Sequence, residues 1–377
     1  RVLLQELLED SAKDITDDCA IDGRQITIDG RLLRSDAPPF VAKVVGESFR
    51  SKIFRQKSLK GCFDMIIETG TPQLRDPFLL RHNGVYYMYG TGVAKNGDWL
   101  NTTYACWRND TGRLDGGWTL TERPVYVRPA LAEKNLWAPE VHFYNGAFYL
   151  LATYYSSRTQ HRGATILRAD SPEGPFVEIT DGTLTPDQWD CIDATLYVDS
   201  EKQPWLVFVH EWTCTPDQVG TMAAARLSSD LTRLISEPVE LFRGDEPAWA
   251  TGKITDGCFM YTTRAGRLLM LWSNFGEGGY CEAIARSDNG RLDGKWRHEE
   301  KPLFARGMAG DFDGGHGMIF TDADGQSYLC LHAPHRHTPE PPGMQILYPV
   351  TEAGHTPTRD LSHDRAEPPS KRIPDAQ

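Results

Sequence analysis

No run of about 18 apolar residues occurs in the 377-residue chain, so nothing in it reads as a membrane-spanning helix. No C-x-x-C pair occurs among the eight cysteines, which stand far apart at Cys19, Cys62, Cys106, Cys191, Cys214, Cys258, Cys281 and Cys330. That excludes a zinc ribbon or a dithiol redox site. A chain this long needs no disulfide framework, so isolated buried thiols are expected. No run of Lys or Arg occurs and the net charge is -12, which argues against a nucleic-acid groove or a membrane surface as partner. The opening residues, Arg1 to Asp10, lack an apolar stretch followed by a small-residue cleavage site, and a cytoplasmic location is expected. What is plentiful is aromatic: ten Trp and fourteen Tyr in an otherwise ordinary globular composition. Flat rings suit the C–H faces of sugars, although core packing accounts for most of them.

Lining the chain up with itself exposes a repeat. Five segments share a small or acidic opening, an apolar strand, a turn and a second aromatic-rich strand. They open at Asp76, Ala138, Asp193, Asp256 and His316, at intervals of 55 to 63 residues. Asn83-Gly84, Asn145-Gly146 and Asp324-Gly325 sit between apolar runs, a strong hairpin signal because the central positions of such turns want positive φ. A later element recurs too: Arg108 to Trp118 matches Arg286 to Trp296, with a third copy from Arg168 to Phe176 and a worn fourth at Ser228 to Leu231. Each unit is then four strands long. Radial repetition of four-stranded sheets predicts an all-β fold, a five-bladed β-propeller with antiparallel blades.

The propeller is expected over residues 67–350. Residues 1–66 form an N-terminal segment without an assigned role, with helical spacing at Val2 to Leu8 and a hairpin at Gln25 to Leu32. Residues 351–377 form a polar, Pro-rich tail.

Because the innermost strand of each blade lines the central channel, the five openings should converge on one mouth. Three carboxylates and an imidazole around one axis repel or shift one another's pKa, which single turn-capping Asp residues would not. Acids around an aromatic-walled pocket suit glycoside hydrolysis, in which one carboxylate activates water and a protonated one serves the leaving oxygen. Groups on separate blades across a channel favour the wider separation of an inverting mechanism, about 6.5–9.5 Å.

At these residues the sequence resembles glycoside hydrolase family 43, five-bladed propellers that include arabinofuranosidases, xylosidases and arabinanases. The resemblance covers about Pro72 to His335. It is carried by Arg75-Asp76-Pro77-Phe78, Leu136-Trp137-Ala138-Pro139-Glu140-Val141, Cys191-Ile192-Asp193-Ala194-Thr195-Leu196-Tyr197, Thr255-Asp256-Gly257 and Gly314-Gly315-His316-Gly317-Met318-Ile319-Phe320. It implies that Asp76 is the general base and that Asp193 raises the pKa of the acid and orients it. His316 matches a channel histidine that in many members contacts a central cation, Ca2+ or another, or its water shell. No cofactor is required by the acid–base chemistry itself. One departure stands out: the family's acid is usually Glu in a Glu-Gly-Pro context, whereas this chain has Asp256-Gly257-Cys258. Asp256 is the first candidate for the acid, and Glu246, just upstream, is its rival.

Trp137 and Trp249 are candidate sugar platforms, and Arg75, Glu140, His210 and Glu211 candidates for substrate hydroxyls. His332, His335 and His337 cluster at the end of the fifth unit; a metal site is one reading and a solvated polar loop the preferred one. The expected activity is an inverting exo-glycosidase on small pentose-containing oligosaccharides, α-L-arabinofuranosidase first and β-xylosidase next. Two alternatives are a sugar-binding propeller that has lost catalysis and a related five-bladed fructosidase or phosphorylase. Arg75-Asp76-Pro77 lacks the Asn of the fructosidase opening, and no basic cluster for phosphate is seen.

Overall fold

The computed structural model describes residues 67–69, 74–92, 100, 102–308, 310–335 and 344–350, together with three short strands between 19 and 34. The chain divides into two compact units, Arg1–Met65 and Ile66–Gln377. In the first, β1 (Cys19–Asp22), β2 (Gln25–Ile28) and β3 (Arg31–Arg34) pair antiparallel in that order, and the hairpin at 25–32 is the β2–β3 pair. The helical spacing at 2–8 and the tail at 351–377 lie outside the described residues.

The second unit begins with a short strand, β4 (Ile67–Glu68). Five successive sheets then supply the inner hairpins and outer strands of a β-propeller. The first holds β5 (Leu74–His82), β6 (Val85–Gly92), β7 (Thr103–Asn109) and β8 (Thr119–Leu120). The second holds β9 (Ala132–Tyr144), β10 (Ala147–Ser156), β11 (Arg162–Ala169) and β12 (Val177–Glu178). The third holds β13 (Cys191–Val198), β14 (Pro204–His210), β15 (Thr221–Arg226) and β16 (Val239–Arg243). The fourth holds β17 (Asp256–Thr262), β18 (Leu268–Gly276), β19 (Gly279–Ser287) and β20 (Trp296–His298). The fifth runs β21 (Gly315–Thr321), β22 (Ser327–Ala333) and β23 (Met344–Val350), and takes its outermost strand from β4. Pairing of Ile67 with Leu347 and of Glu68 with Ile346 closes the ring, so the first and last blades are locked by chain from before the first repeat.

Local chemistry explains the units. Asn83 and Gly84 have φ of 50° and 81°, and Asn145 and Gly146 have 45° and 82°, the paired left-handed conformations of a two-residue hairpin turn. The second strand of each blade is covered on both faces by neighbouring blades, so it reads as a continuous apolar run; all seven residues of β14 are buried. Most of the aromatic excess is packing: Trp272, Tyr89, Tyr154, Phe208 and Phe304 are fully buried. The repeated outer element is a turn closed in the same way in two blades, by Trp118 Nε1 donating to the Leu114 carbonyl at 3.1 Å and Trp296 Nε1 to that of Leu292 at 3.0 Å. Cys106, Cys191, Cys214, Cys258, Cys281 and Cys330 are all free, and all but Cys214 are buried.

Candidate active site

Each innermost strand is interrupted by a β-bulge near its start, where one residue takes a left-handed conformation: Asp76 (φ 54°), Ala138 (43°), Asp193 (54°), Gly257 (57°) and His316 (52°). The register corrects one feature of the sequence alignment. Gly257, not Asp256, is the residue of the fourth blade equivalent to Asp76, Asp193 and His316. Asp256 stands one residue earlier, at the position of Arg75, Trp137, Ile192 and Gly315. The bulge re-aims the chain, so both positions serve the mouth.

The bulges are pinned from blade to blade. Thr91 of β6 accepts the Ala138 amide (2.8 Å), Thr153 of β10 the Asp193 amide (3.0 Å), and Ser273 of β18 the His316 amide (2.7 Å). In the third blade the corresponding residue of β14 is Val209, and the Gly257 amide instead donates to Asp193 Oδ2 at 3.0 Å. In the fifth, His332 of β22 stands at the equivalent position, with Nδ1 at 3.4 Å from both the backbone nitrogen and Oδ1 of Asp76, and meets the carboxylate instead of the amide. Thr91, Thr153, Ser273 and His332 are fully buried. A lone Thr, Ser or His inside an apolar second strand was the available signal for them, and sequence reasoning passed over it.

Gly257 is required by space. A Cβ there would approach His316 Cγ and Cδ2 to 2.7 and 2.8 Å, with backbone Cα at 2.9 Å. Gly257→Ala is expected to destabilise the fold by about 1–2 kcal/mol or more, read as a lowered melting temperature, and to weaken activity by displacing His316.

His316 links the first two acids: its Nδ1 lies 3.3 Å from Asp76 Oδ1 and 3.7 Å from Asp193 Oδ2. Asp76 Oδ2 accepts from the Thr91 hydroxyl at 2.6 Å, and Asp256 Oδ2 from the Tyr280 hydroxyl at 3.0 Å. Burial alone would raise the Asp76 carboxyl, yet His316, Arg75 and the Thr91 hydroxyl hold it below the usual carboxylate range. Asp193 is pushed well up by burial and then by the charge of Asp76, against the pull of the Gly257 amide. Burial, and next Asp193, push Asp256 up to about 7, with His316 and Tyr280 opposing. Asp193 and Asp256 both stand above the usual range and retain a proton where an ordinary carboxylic acid is ionised. The mouth therefore offers an ionised carboxylate on one blade and a protonated carboxyl on another.

Other candidates fall around this centre. Half-buried Trp137 stands at the pre-bulge position of the second blade, with the Arg162 guanidinium 5.8 Å from its ring centre, and Arg162 is bound to Glu211 at 2.7 Å. Glu140 lies deeper on β9 and pairs with His142 at 2.8 Å. His210 ends β14, stacked on Trp189 at 3.8 Å and bonded to Glu240 at 3.3 Å. Trp249 packs on Trp272 and donates its Nε1 hydrogen to the Glu299 carbonyl. Glu246 is exposed; it accepts from the Arg243 amide at 3.0 Å and faces His298, of the outermost strand of the fourth blade, at 3.4 Å. The solvated-loop expectation for the histidines is corrected: His332 is fully buried beside Asp76, and His335 is bonded to Arg75 through both its ring and its carbonyl. The carboxylate they serve comes from another blade, which local sequence cannot show. His337 lies outside the described residues.

Among the described residues no set of three or more His, Cys, Asp or Glu side chains is arranged to hold a metal ion, and His316 turns Nδ1 to the two carboxyls. The chemistry below uses side chains alone.

Buried acids of unequal protonation around a single axis are what cleavage of a glycosidic bond needs, and with this fold they define the class, a glycoside hydrolase. Residues 73–360 match the family model of glycosyl hydrolases family 43, and the chain belongs to that family. It is 31% identical to an endo-arabinase from Bacteroides thetaiotaomicron VPI-5482, with a TM-score of 0.64 over 76% of this chain and 96% of that one. An endo-1,4-beta-xylanase from the same organism is 24% identical, with a TM-score of 0.62 over 76% and 94% of the two chains. An alpha-L-arabinofuranosidase from Lactobacillus brevis is 20% identical, with a TM-score of 0.61 over 76% and 93%. These last two share the fold.

Proposed function

We propose that the protein is an inverting glycosidase acting on pentose-containing oligosaccharides, with α-L-arabinofuranosides as first substrates and β-xylosides next. The opposite protonation of Asp76 and Asp256 at one mouth carries this reading. Asp76 takes a proton from water, whose oxygen attacks the anomeric carbon. Asp256 gives its proton to the departing oxygen from the opposite side, and the product sugar is inverted. Burial, and next the neighbouring Asp193, raise the Asp256 carboxyl, and Asp193 holds the segment that bears it through the Gly257 amide. Trp137 offers an aromatic face to the sugar, and Arg162 orders that ring from the side of the second blade. Asp256 is preferred to Glu246, whose carboxylate is exposed and engaged by His298 and the Arg243 amide.

Proton NMR of the anomeric product during turnover of aryl α-L-arabinofuranoside, β-xyloside and galactoside tests this. An inverted pentose is the expected first product. Retention would refute the mechanism, and no release from any of the three would refute the activity. Binding of arabino-oligosaccharide without turnover, unchanged by Asp76→Asn, would favour a sugar-binding propeller.

A further inference from the structure

Between the proposed base and the proposed acid lies a group of side chains that the acid–base scheme does not use. Arg75 Nη2 is 2.8 Å from His332 Nε2 and 3.0 Å from His335 Nδ1, and Nη1 donates to the His335 carbonyl at 3.2 Å. The His335 ring stacks on Tyr280, centroids 3.9 Å apart at 26°, and Tyr280 donates its hydroxyl hydrogen to Asp256. The opposite end of His332 lies against Asp76, Nδ1 to Oδ1 3.4 Å. A line of contacts thus runs from Asp76 through His332, Arg75, His335 and Tyr280 to Asp256.

The chemistry of the donors fixes the protons. A guanidinium only donates, so both imidazole nitrogens that face Arg75 must accept. His332 is then neutral with its proton on Nδ1. That nitrogen cannot accept from the Asp76 amide, and its hydrogen goes to the Asp76 carboxylate. His335 likewise keeps its proton on Nε2. The backbone secures the far end: buried Asp313 accepts the Tyr280 amide on Oδ2 and the His335 amide on Oδ1, each at 3.1 Å. Room for Tyr280 comes from Gly315, where a Cβ would meet its ring at 2.7 Å. Thr91 and His316 also hold Asp76, so His332 adds a third, directional contact from a separate strand.

We propose that His332 and Tyr280, tied together by Arg75 and His335, are positioning residues, His332 for the Asp76 carboxylate and Tyr280 for the Asp256 carboxyl. The inference rests on the base and acid roles assigned above. Because Asp is a methylene shorter than the Glu of the resembled pattern, the reach of Tyr280 gives Asp256 a fixed carboxyl without lengthening the side chain. A base displaced by about 1 Å costs on the order of 100-fold in rate.

The test compares aryl glycosides of the accepted sugar with good and poor leaving groups. A base defect slows both alike, whereas an acid defect spares the good leaving group, which needs little protonation. His332→Phe is expected to lower kcat about 100-fold for both substrates with little change in KM, and His332→Asn, which keeps a donor near Nδ1, to recover about tenfold of that. Tyr280→Phe is expected to slow the poor leaving group about tenfold or more and the good one hardly at all. His332→Asn is the second variant should His332→Phe fail to fold, and should show a leaving-group-independent loss of about tenfold. Folded His332 variants within about threefold of the parent, or a Tyr280→Phe loss indifferent to leaving group, would overturn the proposal. Asp76→Asn and Asp256→Asn run alongside separate the two failures: if these retain activity, the assigned base and acid are wrong; if they lose it while the others keep it, only the positioning role is.

Discussion

Asp76→Asn is expected to lower kcat by about 10²–10⁴-fold on every substrate, whatever the leaving group, with a change of only a few-fold in KM. An amide cannot take a proton from water, and β5 and β6 carry no other carboxylate to replace it. Arg75 is a cation and Thr91 donates its hydrogen to the same carboxylate. The isosteric change leaves the bulge intact, because the left-handed residue keeps a short polar side chain. Circular dichroism and a melting curve check that the fold is preserved, and kcat for two aryl glycosides reads the effect. A loss below tenfold in a folded variant would remove Asp76 as the base.

Asp256→Asn is expected to cost a similar factor on unactivated oligosaccharides and far less on a substrate with a strongly acidic leaving phenol, since the departing group then needs no proton. The parent enzyme should show the same acid in its pH profile. With Asp256 titrating at about 7, kcat/KM falls above neutral pH as the donor is ionised, and at the acid end it falls only when Asp76, held below the usual carboxylate range, is protonated. In the variant the alkaline limb disappears for the activated substrate. Stability depends on the same carboxyl. The folded-state pKa of Asp256 lies above that of the unfolded chain, about 3.9, so the folded state binds more protons between the two values and stability is lost as pH rises through that window. Asp256→Asn removes that penalty. Its melting temperature should gain on the parent between pH 5 and pH 8. A variant equally impaired on all leaving groups, or an unchanged alkaline limb, would point away from Asp256.

The chain stated its architecture twice. Asn83-Gly84 and Asn145-Gly146 fixed hairpins through the local demand for positive φ, and the matched elements ending at Trp118 and Trp296 fixed the length of the blade. From those local facts Asp76, Asp193 and His316 could be brought to one axis before any coordinate was known. Asp256 was legible as a candidate but not its true place: only strand register shows that Gly257 holds the bulge and that Asp256 stands beside it. The expectation for His332 failed for a related reason. Its neighbours along the chain, His335, Arg336 and His337, read as a polar end, while its partner Asp76 is 256 residues away.

The sequence by itself determined what is short-range and repeated: turns, apolar strands, their number, and hence a propeller with acids at its openings. Tertiary structure alone decided which carboxyl stays ionised and which keeps its proton. That difference arises from burial and from charges on other blades, such as His316 against Asp76 and Asp193 against Asp256. A carboxylic acid's pKa is set by what surrounds it within a few ångströms, and around this axis the surroundings come from chain segments that the sequence keeps far apart.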